Sequence, residues 1–134
     1  MNYQKYIPLI ARVFLAVIFL RGGISHLFDF SGTQQMMAQR GLPLPGLLLL
    51  GNIVSQLVGA SLLLLGYKTR LGAILLILFL IPTTLVFHTN FSQEMQVIAF
   101  FKNLAIIGGL LMVVYAGAGP VSLDERTHSR ETLK

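Results

Sequence analysis

The chain of 134 residues contains no cysteine. That excludes a disulfide framework, thiolate ligation of a metal, and the CxxC chemistry by which some small four-helix membrane proteins couple thiols to quinones. Charge is scarce too: only 11% of residues are Asp, Glu, Lys or Arg, and five are acidic. None of the five lies inside an apolar block of the chain, so a cation buried there has no carboxylate of its own segment to pair with. Internal repeats and low-complexity tracts are absent as well.

Apolar residues are abundant. They make up 54% of the chain, and the mean hydropathy is +0.75. They gather into four blocks, Ile7 to Phe28, Leu44 to Leu65, Leu71 to Phe87 and Met95 to Ala116. A helix needs roughly 20 residues to cross about 30 Å of hydrocarbon, and these blocks qualify. Membrane barrel strands would alternate apolar and polar residues, whereas these blocks are apolar on most faces. The expected fold is an all-α membrane protein, one domain over 1–134 with a four-transmembrane-helix bundle. The first block follows Lys5 as a signal peptide would, but no small-x-small cleavage site follows, so it reads as a retained helix.

Lysines and arginines orient the bundle. Lys5 and Arg12 stand at its start, Lys68 and Arg70 in the "GYKTR" connection, and Arg126, Arg130 and Lys134 in the tail. With four spans these regions share one side, and Arg40 is the only comparable charge in the other two connections. The positive-inside rule therefore puts both termini in the cytoplasm. The pI near 10.0 reflects this bias and not nucleic-acid binding, which needs a basic patch on a soluble surface. Arg12 has an ordinary explanation as a side chain that snorkels to cytoplasmic headgroups.

The connection "SGTQQMMAQRGLPLPG" (31–46) has helix formers between a Ser/Thr cap and the stop at Gly41 and Pro43. It reads either as a short interfacial or re-entrant helix between the first two spans or as a plain interfacial loop. Beyond Gly117 the chain turns polar, and about 121–134 reads as a flexible cytoplasmic tail.

Placing the polar residues by depth shows a layer. Arg21, Ser25 and His26, Asn52, Ser55 and Gln56, Thr84 and His88, and Lys102 and Asn103 all fall in the outer half of their spans. Asn52, Ser55, Gln56 and Gly59 follow i, i+3, i+4, i+7 and form one stripe. A lone cation near the bilayer centre costs about 2.5–3.5 kcal/mol, and Arg21 and Lys102 carry that cost without an acid. The missing partner is then a ligand oxygen, water or backbone; on the competing reading both cations snorkel outward. His26 and His88 could in principle ligate a metal or haem, but without neighbouring thiolates or carboxylates they read as hydrogen-bonding histidines; no metal or haem is expected. Phe14, Phe19, Phe79 and Phe101 read as packing or lipid-facing residues.

"HTNFSQEMQVIAFFKNLAIIGGLLMVVYAGAGPVSLDER", with "GTQQMMAQRGLP" and "LLLLGYKTRLGA", resembles the DoxX family of small four-helix bacterial inner-membrane proteins, particularly its YqjF-like branch. The resemblance implies association with quinone, catechol or oxidative-stress responses. The chain departs from it at Gln56, where many relatives have glutamate, and at His26, where many have lysine. Glutamine cannot carry a proton in turnover, though it can hydrogen-bond a quinone carbonyl.

Three readings follow. In the first the chain is a quinone-binding component of an oxidoreductase or stress system, with Arg21 and Lys102 polarising a ligand oxygen and His26 or His88 exchanging a proton. Asn52, Gln56 and Asn103 then hydrogen-bond the ligand, and Phe87, Phe91, Phe100 and Phe101 flank its ring. In the second it binds or transports a small anion or metabolite. In the third it is a non-catalytic subunit whose polar stripe meets a partner. The expected partners are membrane lipid, a quinone or small anionic ligand, and a redox partner protein or second copy; nucleic acid is not among them.

Overall fold

The structure is a computed structural model describing residues 3–133; Lys134 of the basic tail lies outside the described residues. A 3-10 turn, Tyr3–Tyr6, leads into α1 (Ile7–Phe28), followed by α2 (Phe30–Gln39), α3 (Pro45–Leu65), α4 (Thr69–Phe87), α5 (Glu94–Ala116) and α6 (Leu123–Thr132). The chain is all-helical, and α1, α3, α4 and α5 are each long and apolar enough to span a membrane. Their bounds match the four apolar blocks to within two residues, because Pro, Gly and polar residues interrupt the chain only between them. Pro8 and Pro45 open α1 and α3, where a missing N–H costs nothing. Gly66 closes α3 in the left-handed region at φ 68°.

The four spans form a ring in the order α1, α3, α4, α5. The first three neighbouring pairs pack extensively, while α5 and α1 touch sparsely. Ala16, Phe19, Ala60, Leu63, Ala73, Leu76, Leu80 and Leu110 fill the centre, and Phe19 meets Phe79 edge to face at 6.4 Å. Between α3 and α4 the small stripe brings backbones together. A Cβ on Gly72 would lie 3.0 Å from the Gly59 carbonyl oxygen, and one on Gly59 would lie 3.1 Å from that of Gly72.

The end of the bundle carrying Ile7, Leu65, Thr69 and Ala116 is called here the terminal face; the other end, with Phe28, Pro45, Phe87 and Glu94, is the covered face. The cover is α2. The 31–46 connection is helical over Phe30–Gln39, joined to α1 through Asp29 alone, and it buries Met37 against Leu49 and Ile53 at the start of α3. Arg40 ties it to α4, donating to the Val86 carbonyl at 3.2 Å with its guanidinium 4.9 Å from the Phe87 ring centre.

At the terminal face two expectations change. The tail is helical over Leu123–Thr132, because Ser122 caps it by accepting from the Glu125 N–H at 3.2 Å. Ser-Leu-Asp-Glu is the Ser-x-x-Glu pattern of a helix start. Arg12 does not snorkel. It is 1% exposed and donates to the Leu63 carbonyl at 2.8 Å and to the Val121 carbonyl. The last carbonyls of α3 have no partner within their own helix and carry the negative end of its dipole, so a guanidinium is drawn inward to them instead of outward to headgroups.

Candidate functional site

Gln56 organises the polar layer of the covered half. It is 3% exposed, donates through Nε2 to the Asn52 Oδ1 at 2.7 Å, and faces the His26 Nδ1 at 3.4 Å, so α3 is joined to α1 through amide and imidazole. Space for it comes from Gly22, where a Cβ would stand 2.7 Å from the Gln56 Oε1. A second link joins α5 to α4. Buried Asn103 donates to the Thr84 hydroxyl at 3.0 Å, and Thr84 donates in turn to the Leu80 carbonyl at 2.7 Å.

The two intramembrane cations are placed differently. Arg21 is exposed on the side of α1 opposite the buried stripe Arg12, Ala16, Phe19 and Gly23, and the structure does not bring it to Gln56. Lys102 is also exposed, but it stands two turns from Gly109, which faces Leu15 of α1. The antiparallel register therefore sets Lys102 level with Gly22, at the covered-face end of the sparse α1–α5 seam. Neither has a hydrogen-bond or ion partner among the described residues. His88 follows α4, and its pKa is lowered, first by burial and then by the positive charges of Lys102 and Arg40. Phe100 meets Phe91 and Phe101 edge to face at 5.2 and 5.5 Å.

The structure also shows a feature that depth alone did not mark. Between α3 and α4, under α2, lies a crevice of about 410 Å³ walled by Met37, Leu42, Phe79, Pro82 and Phe87. Asn52 and Ser55 enter it from α3 and Thr83 from α4. Thr83 is occupied, donating to the Phe79 carbonyl at 2.9 Å. Among the described residues the Ser55 hydroxyl and the Asn52 Nδ2 group have no partner, while the Asn52 Oδ1 is held by Gln56. Pro82 has no N–H for the Leu78 carbonyl one turn back, and Leu78 lines the same crevice. The site thus offers fixed donors in an apolar wall, with no titratable side chain among the described lining residues.

The terminal face is built around Asp124. Its carboxylate accepts from the Lys68 N–H at 2.7 Å, the Thr69 N–H at 3.0 Å and the Thr69 hydroxyl at 2.7 Å, so it caps α4 from a distance in sequence. The Asp124 N–H donates back to the Gly66 carbonyl at 2.8 Å. Burial alone would raise the Asp124 pKa; the Thr69 and Lys68 hydrogen bonds and the positive charge of Arg12 outweigh it and hold the carboxyl below its ordinary value.

Four apolar spans, a polar layer confined to one half, a helical cover on that half and a hydrogen-bonded clamp on the other define a small multi-pass helical membrane protein. The chain belongs to the DoxX family, whose model matches residues 7–89. It is 34% identical to inner membrane protein YqjF of Escherichia coli over 116 residues, 87% of this chain and 88% of that protein. It is 35% identical to inner membrane protein YphA of the same organism over 123 residues, 88% of each chain. Four apolar helices and relatives of this kind make it a multi-pass inner-membrane protein. The SURF4 family model also matches, over residues 52–129, and the ER-derived vesicles protein ERV29 of Saccharomyces cerevisiae is 35% identical over 80 residues, 56% of this chain and 26% of that protein. No solved structure matches the chain.

Proposed function

We propose that the protein is the membrane component of an oxidoreductase or oxidative-stress system and binds a quinone or similar lipid-soluble redox molecule in the α3–α4 crevice. The observation that carries this reading is the pairing of unpartnered Asn52 Nδ2 and Ser55 donors with apolar walls in about 410 Å³. Small-molecule sites are of this kind, mostly apolar with a few fixed polar groups, and start at about 300 Å³. Gln56 fixes the Asn52 amide with its Nε2 on the carbonyl side, which leaves the Asn52 amino group as a donor to a ligand carbonyl. A bound quinone would supply the two-electron chemistry; this chain's residues hold and orient its ring. With no titratable group among the described residues lining the crevice, protons come from outside it, which suits a component working with a partner. The positive-inside pattern puts both termini in the cytoplasm and the crevice in the outer leaflet.

Lys102 and Arg40 near His88 favour a second reading, a small anion bound at the covered face. Mass spectrometry of small molecules extracted from gently purified protein separates the two. The expected result is a stoichiometric quinone, retained about tenfold less in Asn52→Leu or Ser55→Ala, a change that loss of one hydrogen bond supplies. Absence of a quinone, or wild-type retention of it by both variants, overturns the reading.

A further inference from the structure

The α1–α5 seam, the sparsest interface of the ring, opens at the terminal face into a groove of about 430 Å³. Pro8, Ala11, Leu15, Gly109 and Met112 wall it, Arg12 lies along it, and no acidic side chain is among its described lining residues. From Ile7 to Leu15 it runs about 12 Å, most of the ~15 Å depth of one leaflet. Its mouth is cationic. The Arg70 guanidinium lies against Gly117, whose Cβ would stand 3.2 Å from the Arg70 Nη2, and Lys5 lies over the exposed Tyr6 ring just before α1.

We propose that this groove holds one acyl chain of an anionic phospholipid from the leaflet at the terminal face. The phosphate sits beside Arg70 and Lys5, and the acyl chain runs inward between Ala11 and Met112. Apolar walls running along the bilayer normal suit a chain, and the two cations Arg70 and Lys5 at the mouth suit an anionic head. A second copy of this chain docking by two-fold symmetry would instead bring like charges together. The site is separate from the α3–α4 crevice and does not depend on what that crevice binds.

The test is native mass spectrometry of protein purified from membranes supplying phosphatidylglycerol and phosphatidylethanolamine in equal amounts, with melting temperature measured in parallel. The wild type is expected to retain phosphatidylglycerol preferentially. Ala11→Phe and Met112→Trp fill the groove from exposed positions on opposite walls. Each should lower retention about tenfold at unchanged melting temperature, as displacing about two methylenes requires. Arg70→Gln keeps a donor for the Val114 carbonyl, which Arg70 now bonds at 2.9 Å, and should retain lipid with a weaker headgroup preference, Lys5 remaining at the mouth. Equal retention of the two lipids by the wild type, or full retention by either folded filling variant, overturns the proposal. So does a dimer that the filling variants dissociate while lipid content stays the same.

Discussion

Replacing Asp124 by alanine removes three hydrogen bonds at once, those from the Lys68 N–H, the Thr69 N–H and the Thr69 hydroxyl. Hydrogen bonds to a charged group contribute about 1.5–3 kcal/mol each, which summed would exceed 4 kcal/mol. The sum is too large, because the carboxylate is partly exposed and water takes up part of the loss at the freed N–H groups. Loss of a helix cap alone costs about 1 kcal/mol and up to about 2, and the hydroxyl bond adds to it. The expected destabilisation is therefore about 2–3 kcal/mol, read as a lowered melting temperature in detergent and faster proteolysis of α6. Asp124→Asn keeps an acceptor but loses the charge, and should cost about 1 kcal/mol. The pH dependence has a definite sign. A carboxyl whose pKa is depressed on folding contributes its stability above its unfolded value, near pH 4, and loses that stability as pH falls through the folded value. The wild type should weaken below about pH 4, and Asp124→Asn should flatten that part of the profile. An alanine variant within about 0.5 kcal/mol of wild type would refute the clamp, since that is the scatter of neutral surface changes.

Arg12→Met keeps the buried volume but strands the Val121 carbonyl and leaves that of Leu63 with only the Gly66 N–H, and should lower stability by about 1–3 kcal/mol in the same melt, with Arg12→Lys restoring only part because one ammonium cannot span both acceptors. Arg40→Ala releases α2 from α4 and should cost under about 1 kcal/mol, while a cysteine at Met37 in that background reacts several-fold faster with a thiol reagent. Because the chain has no cysteine, Ser92→Cys and Thr127→Cys are unique labels. An impermeant reagent should label the first and not the second in cells with a permeabilised outer membrane; the reverse pattern would invert the orientation. Gln56→Leu cuts the α3 link to His26, and measurement of the imidazole titration by NMR should show His26 changed and His88 unchanged.

The spans were legible because each is a continuous apolar run bounded by Pro, Gly or charge, and membrane thickness sets its length. Depth was legible as well, since it follows from counting along each run. Rotation was only partly so. Asn52, Gln56 and Gly59 share a stripe, yet Gln56 turns to α1 while Gly59 meets Gly72 of α4, a division that depends on which helix lies on which side. Arg21 has the depth of Gln56 but the opposite side of its own helix. The terminal clamp was the least legible. Asp124 and Thr69 stand 55 positions apart, and nothing local in either marks the other as its partner. A signal did exist for α6, the Ser-x-x-Glu pattern at Ser122, which general polarity obscured.

Gly59 and Gly72 also bear on the order in which the protein is made. The α3–α4 pair is a hairpin with a connection of only Gly66, Tyr67 and Lys68, so its two backbones are close neighbours in the chain and can pack before α5 and α6 exist. During synthesis that hairpin waits, with the N–H groups of Lys68 and Thr69 uncapped and Arg12 short of its Val121 acceptor, until every span has left the ribosome. Asp124 then arrives and closes it. A chain cut short before Val121 has four complete spans without their closure, with a frayed α4 start and a loosely held arginine at the terminal face.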